Sequence, residues 1–210
     1  MVTDGTYDKL PPLPAYYGLA EKYDGVLLLD EAHTLGILGK HGRGAFEHYG
    51  LDTGRLLLTG SLSKACGASG GFVSGPGRCI GAVRETCAYA TTSAPSLPLV
   101  AAGIASIRFF RDHPGRIRDL QERCVDVKQR LVAMGFDVPV IPTPVAGIYL
   151  PGTEQAGALK EALKYAGIYP PLIRYPGKPD YFRFAFSSAH SDEDIDRLLE
   201  VLRIYGSQIL

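Results

Sequence analysis

The chain has 210 residues, and its 22 basic and 22 acidic side chains cancel, so it offers no electrostatic footprint for nucleic acid or an anionic membrane. No apolar run approaches the roughly 18 residues that span a bilayer. The four cysteines form no C-x-x-C pair and the first residues lack signal-peptide character, which argues against zinc or a disulfide framework and points to a reduced, cytoplasmic setting.

In chain order, Met1 to Gly5 begins abruptly, with Val2 and Thr3 read as the end of a strand before a turn-like Asp4-Gly5. The Pro-rich stretch Leu10 to Pro14 leads into a short helix, Ala15 to Tyr23, and then a continuous apolar run, Val26 to Leu29, predicts a strand covered on both faces. That run ends in Asp30-Glu-Ala-His33 and is followed by a glycine-rich loop, Gly36 to Gly44. A second apolar run, Leu56 to Leu58, delivers Thr59-Gly-Ser-Leu-Ser-Lys64-Ala-Cys-Gly-Ala-Ser-Gly-Gly71, and Gly71 to Ser74 reads as another short strand. Gly77 to Tyr89, Leu97 to His113 and Arg116 to Met134 carry apolar residues at helical spacing. Beyond them, Ala146 to Leu150, Ile168 to Ile173 and Tyr181 to Phe186 predict strands, and Thr153 to Ala166 and Ser191 to Tyr205 predict helices, with Ser191-x-x-Asp194 as a capping pair. We draw the domain boundary within the Leu97 to His113 helix, giving residues 1–105 to a larger α/β domain and 106–210 to a small α+β domain.

Two buried strands thus deliver polar side chains just past their carboxyl ends, the edge at which open α/β sheets bind ligands. Lys64, set among small and hydroxyl residues, suits an amine that forms a Schiff base, and Asp30 suits a carboxylate that keeps a pyridinium nitrogen protonated. Small apolar neighbours such as Ala65, Cys66 and Gly67 would favour the neutral amine. A strand ending in Asp-Glu-Ala-His also invites reading as the magnesium strand of a helicase-like ATPase. That site needs a G-x-x-x-x-G-K-[ST] loop upstream, and residues 1 to 29 hold none; Gly39-Lys40-His41 lies downstream and fails the pattern.

The combination Asp30-Glu-Ala-His33-x-x-Gly36 with Ser61-Leu-Ser-Lys64-Ala-x-Gly67-x-x-Gly70-Gly71 resembles the α-oxoamine synthase family of pyridoxal-phosphate enzymes, over about Val2 to Leu202. The resemblance implies a fold-type I transferase: part of a large domain, a mostly parallel sheet with flanking helices, plus the small carboxyl-terminal α+β domain. It implies that pyridoxal 5'-phosphate is held by Lys64 through an internal aldimine, by Asp30 at the ring nitrogen, by His33 at the ring hydroxyl and by Ser61 where the family usually has a phosphate-binding threonine. Thr92 matches a segment that reaches the phosphate of the neighbouring subunit in family dimers, and Arg174 falls where the family holds the amino-acid carboxylate, a task suited to a two-pronged donor. Arg183 alternates with Phe182, Phe184 and Phe186 and ranks below Arg174; His48, His113 and His190 are assigned structural or solvent-facing work.

The implied reaction condenses an amino acid with an acyl-CoA and releases carbon dioxide, in a homodimer or in a complex with a chain that supplies the family's amino-terminal portion. Where the family has Ser-Met-Asp-Gly-Asp, this chain has the shorter Tyr7 to Pro11, which touches acyl specificity. Two other readings stay open: an aminotransferase, because Asp30 and Lys64 serve that chemistry as well, and a catalytically silent fragment or subunit.

Overall fold

The computed structural model describes residues 9–150, 153–177 and 179–206; the strand expected at Val2 and Thr3 lies outside them. Two compact units form, one running from Leu10 to Arg118 and the other beginning at Asp119. The first holds α1 (Leu13–Lys22), β1 (Leu27–Asp30), α2 (Ala45–His48), β2 (Leu56–Ser61), β3 (Gly71–Ser74), α3 (Gly77–Arg84), α4 (Cys87–Ala90), α5 (Leu97–Asp112) and the start of α6 (Gly115–Ala133). The second holds the rest of α6, then β4 (Val145–Tyr149), α7 (Thr153–Tyr165), β5 (Leu172–Ile173), β6 (Tyr181–Ala185) and α8 (Asp192–Gly206). The division drawn at residue 105 from the sequence falls inside α5, an uninterrupted hydrogen-bonded helix that the first unit carries whole.

In the first unit α1 starts at a proline-rich turn whose fixed φ suits a helix N-terminus. It buries Leu13 and Tyr17, one turn apart, against Leu29, Leu38, Leu56 and Leu58. β1 begins one residue later than expected and is covered on one face rather than two: Leu29 is buried whereas Leu28 is 50% exposed. β1 pairs with β2 in parallel and β2 with β3 antiparallel, in the order β1-β2-β3. The second pairing departs from the mostly parallel expectation for a physical reason. Only the loop 62–70 joins β2 to β3, shorter than the dozen or so residues that a parallel crossover needs.

The helix expected over Gly77 to Tyr89 breaks at Glu85–Thr86. There the Thr86 hydroxyl donates to the Val83 carbonyl at 2.7 Å and accepts the Tyr89 N–H at 3.3 Å, closing α3 and opening α4 with one side chain.

The second unit packs α6, α7 and α8 on an antiparallel sheet of order β4-β6-β5. Phe182, Leu159, Leu163 and Leu202 are fully buried, each worth about 1.5–3 kcal/mol of transfer free energy. The strand expected from Ile168 shrinks to Leu172 and Ile173 because Pro170 and Pro171 have no N–H to donate; the Pro171 carbonyl instead accepts the Arg183 N–H at 3.0 Å. α8 starts with the reciprocal pair expected for it: Ser191 Oγ accepts the Asp194 N–H at 3.2 Å and Asp194 Oδ2 accepts the Ser191 N–H at 3.0 Å. Lys128 of α6 is fully buried, its ammonium donating to the Ile141 carbonyl at 3.1 Å and to Thr143 Oγ1 at 2.9 Å.

Candidate active site

The parallel register aligns Leu27 with Leu56, Leu28 with Leu57, Leu29 with Leu58 and Asp30 with Thr59. Side chains alternate across a strand, so Leu29 and Leu58 enter the core while Asp30, Thr59 and, two residues on, Ser61 share the opposite face. Lys64 follows three residues after β2 ends. Asp30 and Ser61 are therefore brought together by the sheet itself, and Lys64 leaves the same edge.

Asp30 is exposed. Its Oδ1 accepts the Ala32 N–H at 2.7 Å, and its other carboxylate oxygen has no partner among the described residues. His33 sits half-buried in the run of turns that follows. Between them Glu31 turns inward and is 1% exposed, its Oε2 accepting the Ala45 N–H at 2.8 Å and the Thr34 hydroxyl, its Oε1 accepting the Phe46 N–H at 3.0 Å. Farther along, Glu47 Oε2 accepts the N–H groups of His41 and Arg43 at 3.0 and 3.1 Å while Oε1 meets His41 Nδ1 at 2.6 Å. Burial pushes the Glu47 carboxyl up, but these hydrogen bonds outweigh it and hold the group below its ordinary range. Gly39 and Gly44 make both contacts possible. Each has positive φ, and a Cβ would come within 2.2 Å of Glu47 Oε2 or 2.5 Å of the Glu31 carboxylate.

The lysine loop is held by its own backbone: Leu62 N–H donates to the Gly70 carbonyl and Ala68 N–H to the Leu62 carbonyl, both at 2.9 Å, and Gly67 N–H to the Lys64 carbonyl at 3.1 Å. The Ser61 and Ser63 hydroxyls lie 2.7 Å apart, and Ser63 N–H donates to Ser61 Oγ at 3.1 Å. Ser106 of α5 donates to the Cys66 carbonyl at 2.7 Å, and burial pushes the Cys66 thiol up. The loop meets the one that carries His33 at Gly36, where a Cβ would lie 2.6 Å from that of Ala65. Within β2, Gly60 leaves space for the Phe72 ring, which a Cβ would approach to 2.5 Å. Lys64 itself is exposed, with no side-chain partner among the described residues, so this unit does not supply the dry surroundings expected for it.

The remaining predicted residues lie elsewhere. Thr92 is exposed after α4, with its hydroxyl donating to the Ala88 carbonyl of its own helix. Arg174 belongs to the second unit, follows β5 and pairs through Nε with Asp180 Oδ2 at 2.9 Å. His190 Nδ1 accepts the Ser187 N–H at 3.2 Å, the structural work assigned to it.

Sequence reasoning passed over Thr59, Glu31 and Glu47. A signal for the first two was present: the two-residue period places Glu31 on the buried face with Leu29, and the alignment of the two apolar runs places Thr59 beside Asp30. Among the described residues no helix is long and apolar enough to cross a membrane, and no cluster of three or more acidic, histidine or cysteine side chains could hold a metal ion.

A family profile described as "Aminotransferase class I and II" matches residues 4–202. Similar proteins include 8-amino-7-oxononanoate synthase of Methylobacillus flagellatus, 34% identical over 92% of this chain and 50% of its own length. The 8-amino-7-oxononanoate synthase 1 of Bacillus velezensis is 35% identical over 100% and 55%. Among solved structures, Sphingomonas wittichii serine palmitoyltransferase matches with TM-score 0.83 and 28% identity, over 98% of this chain and 54% of that one. The S. paucimobilis enzyme with a bound PLP–myriocin aldimine matches with TM-score 0.85 and 27% identity, over 96% and 52%. The chain thus spans about half the length of these relatives. The resemblance read from the Asp30 and Lys64 motifs, and the fold-type I architecture it implied, are borne out.

Proposed function

The chain belongs to the class I and II aminotransferase family, and from that premise we propose that its first unit carries the lysine-bearing half of a pyridoxal-phosphate site that condenses an amino acid with an acyl-CoA. The observation that carries this reading is the register of β1 and β2, which sets the Asp30 carboxylate and the Ser61 hydroxyl on one face, with the Lys64 amine beyond the same strand end.

The donor set fits the group. Among the described residues one Asp30 carboxylate oxygen and the Lys64 amine have no partner, which suits a protonated ring nitrogen and an aldehyde; His33 stands three residues after Asp30 for a ring hydroxyl, and Ser61 offers a hydroxyl to a phosphate. When bound, pyridoxal phosphate supplies an electron sink for the carbanion at an amino acid's α-carbon. Asp30 would keep the ring nitrogen protonated, and Lys64 would carry the cofactor and then move protons as a general base. Arg174 would hold the substrate carboxylate with its guanidinium fork, exchanging Asp180 for it, and Thr92 would serve the phosphate of a neighbouring subunit.

The half-length match to the relatives supports a working form in which the rest of the site comes from a further portion or chain, as a dimer or complex. The free thiols of Cys66, Cys79, Cys87 and Cys124 support a cytoplasmic setting.

Two measurements test the reading. Borohydride reduction after adding pyridoxal phosphate labels Lys64; label spread over surface lysines such as Lys22 and Lys160 sinks it. With the complementing portion present, acyl-CoA and an amino acid release free CoA thiol; oxo-acid formation without thiol release identifies an aminotransferase instead.

A further inference from the structure

Glu31 is flanked by two residues assigned to the cofactor yet points away from them. Its backbone N–H extends the β1–β2 ladder to the Thr59 carbonyl at 2.7 Å, and its carbonyl accepts the N–H groups of Thr34 and Leu35 at 3.1 and 2.8 Å. Its carboxylate collects three further donors, from Thr34, Ala45 and Phe46. One residue therefore ties together the end of β1, the turn that contains His33, and the first N–H groups of α2. Helix N-terminal donors favour an anionic acceptor. Three fixed donors, at 1% exposure, leave the carboxylate no second position and no water to replace a lost partner. Gly44 closes the cradle from the far side, because a Cβ there would come within 2.5 Å of Glu31 Cδ and Oε2.

We infer that Glu31 is a positioning residue for the cofactor site: it sets the angle at which Asp30 leaves β1 and the place of His33 in the following turn. The inference rests on the proposed cofactor reading for its consequence, and on the six hydrogen bonds for its geometry. Glu31→Gln preserves size but turns one acceptor oxygen into a donor, so an N–H of α2 or the Thr34 hydroxyl loses its partner. Gly44→Ala displaces the carboxylate too, and adds the strain of a side chain at φ 122°, so Glu31→Gln is the cleaner of the two. Glu47→Gln is the control, because it loosens the same loop at His41 and Arg43 without touching Glu31.

The test uses the whole chain and two readouts: affinity for pyridoxal phosphate, and NMR signals of the Asp30 carboxylate and the His33 ring. Glu31→Gln and Gly44→Ala are expected to shift both signals and weaken binding about tenfold or more, the size of one lost hydrogen bond to a charged group. Glu47→Gln is expected to leave affinity within about twofold of wild type. Unchanged Asp30 and His33 signals in Glu31→Gln overturn the inference. So does an equal loss of affinity in Glu47→Gln, which would make the effect one of general loop order, or loss of cooperative folding in both Glu31→Gln and Gly44→Ala. If wild type takes no label at Lys64 while the signals still move in Glu31→Gln, the cofactor reading fails and the positioning stands.

Discussion

The helices of the second unit and α3, α4 and α5 of the first are covered to opposite degrees. In the second, α7 and α8 turn Leu159, Leu163, Ile195, Leu198, Leu199 and Leu202 into a common core with Phe182 and Phe184 of β6. In the first, α3 and α4 bury no residue, α5 buries only Gly103, and Leu97, Ile104, Ile107 and Phe109 stand 83, 45, 54 and 45% exposed. The same helical periodicity is written in both. What differs is whether the apolar stripe meets a partner within its unit, so stability is concentrated in the second unit while the proposed cofactor groups are concentrated in the first.

The sharpest way to break that comparison is a matched pair of truncations. Phe182→Ala removes a fully buried ring and is expected to cost about 3–5 kcal/mol in urea unfolding, whereas Ile107→Ala, on the open stripe of α5, is expected to stay within about 1 kcal/mol. Equal losses would show that α5 is packed after all. Next in size, Asp30→Asn in an assembled, active form is expected, on the proposed cofactor reading, to lower turnover about a hundredfold or more, while the urea midpoint stays in place because the carboxylate is exposed.

Cysteines report the same contrast through pH. Burial raises the Cys124 thiol from an ordinary 9.0 to about 11, with Lys128 and Arg123 pulling the other way. Its contribution is present below pH 9 and is lost as pH rises toward 11, because the unfolded chain releases that proton first. Cys124→Ala should flatten the fall in stability over that window, and iodoacetamide should modify exposed Cys87 long before Cys124. A Cys124 alkylated as fast as Cys87 would mean that the second unit opens readily.

The smallest expected effect lies in the helix caps. Ser191→Ala removes half of a reciprocal cap and is expected to cost about 1 kcal/mol; Ser96→Ala, where α5 has no side-chain cap bond, should be close to neutral.

Much of the fold is legible in the residues alone. The apolar run Val26–Leu29 bounds β1 to within a residue at each end, Leu56–Leu58 marks where β2 starts, and the Ser191–Asp194 pair announced α8. The gathering of Asp30, Ser61 and Lys64 at the strand ends was readable as well, because each follows closely on an apolar run. Three features were not. The length of β2 was hidden because Thr59-Gly60-Ser61 lacks the apolar character by which a strand is recognised, although its backbone pairs with β3. The break at Thr86 depends on one hydroxyl serving two helices, which a periodicity cannot register. The roles of Glu31 and Glu47 depend on glycines thirteen and eight residues away that make room for them, a fit between turns that no periodicity marks.

Gly60 and Phe72 pose that kind of fit as a question of inheritance. Because a methyl at 60 would come within 2.5 Å of the ring across the β2–β3 pair, position 60 is not free to grow while Phe72 keeps its place. A lineage that acquires a larger residue at 60 must shrink the residue at 72 or turn its ring aside, so the smoothest mutational path runs through a glycine facing a small side chain. A library randomised at both positions and selected for folding should be enriched in glycine with an aromatic residue, or a larger residue with a small one, and depleted of large pairs.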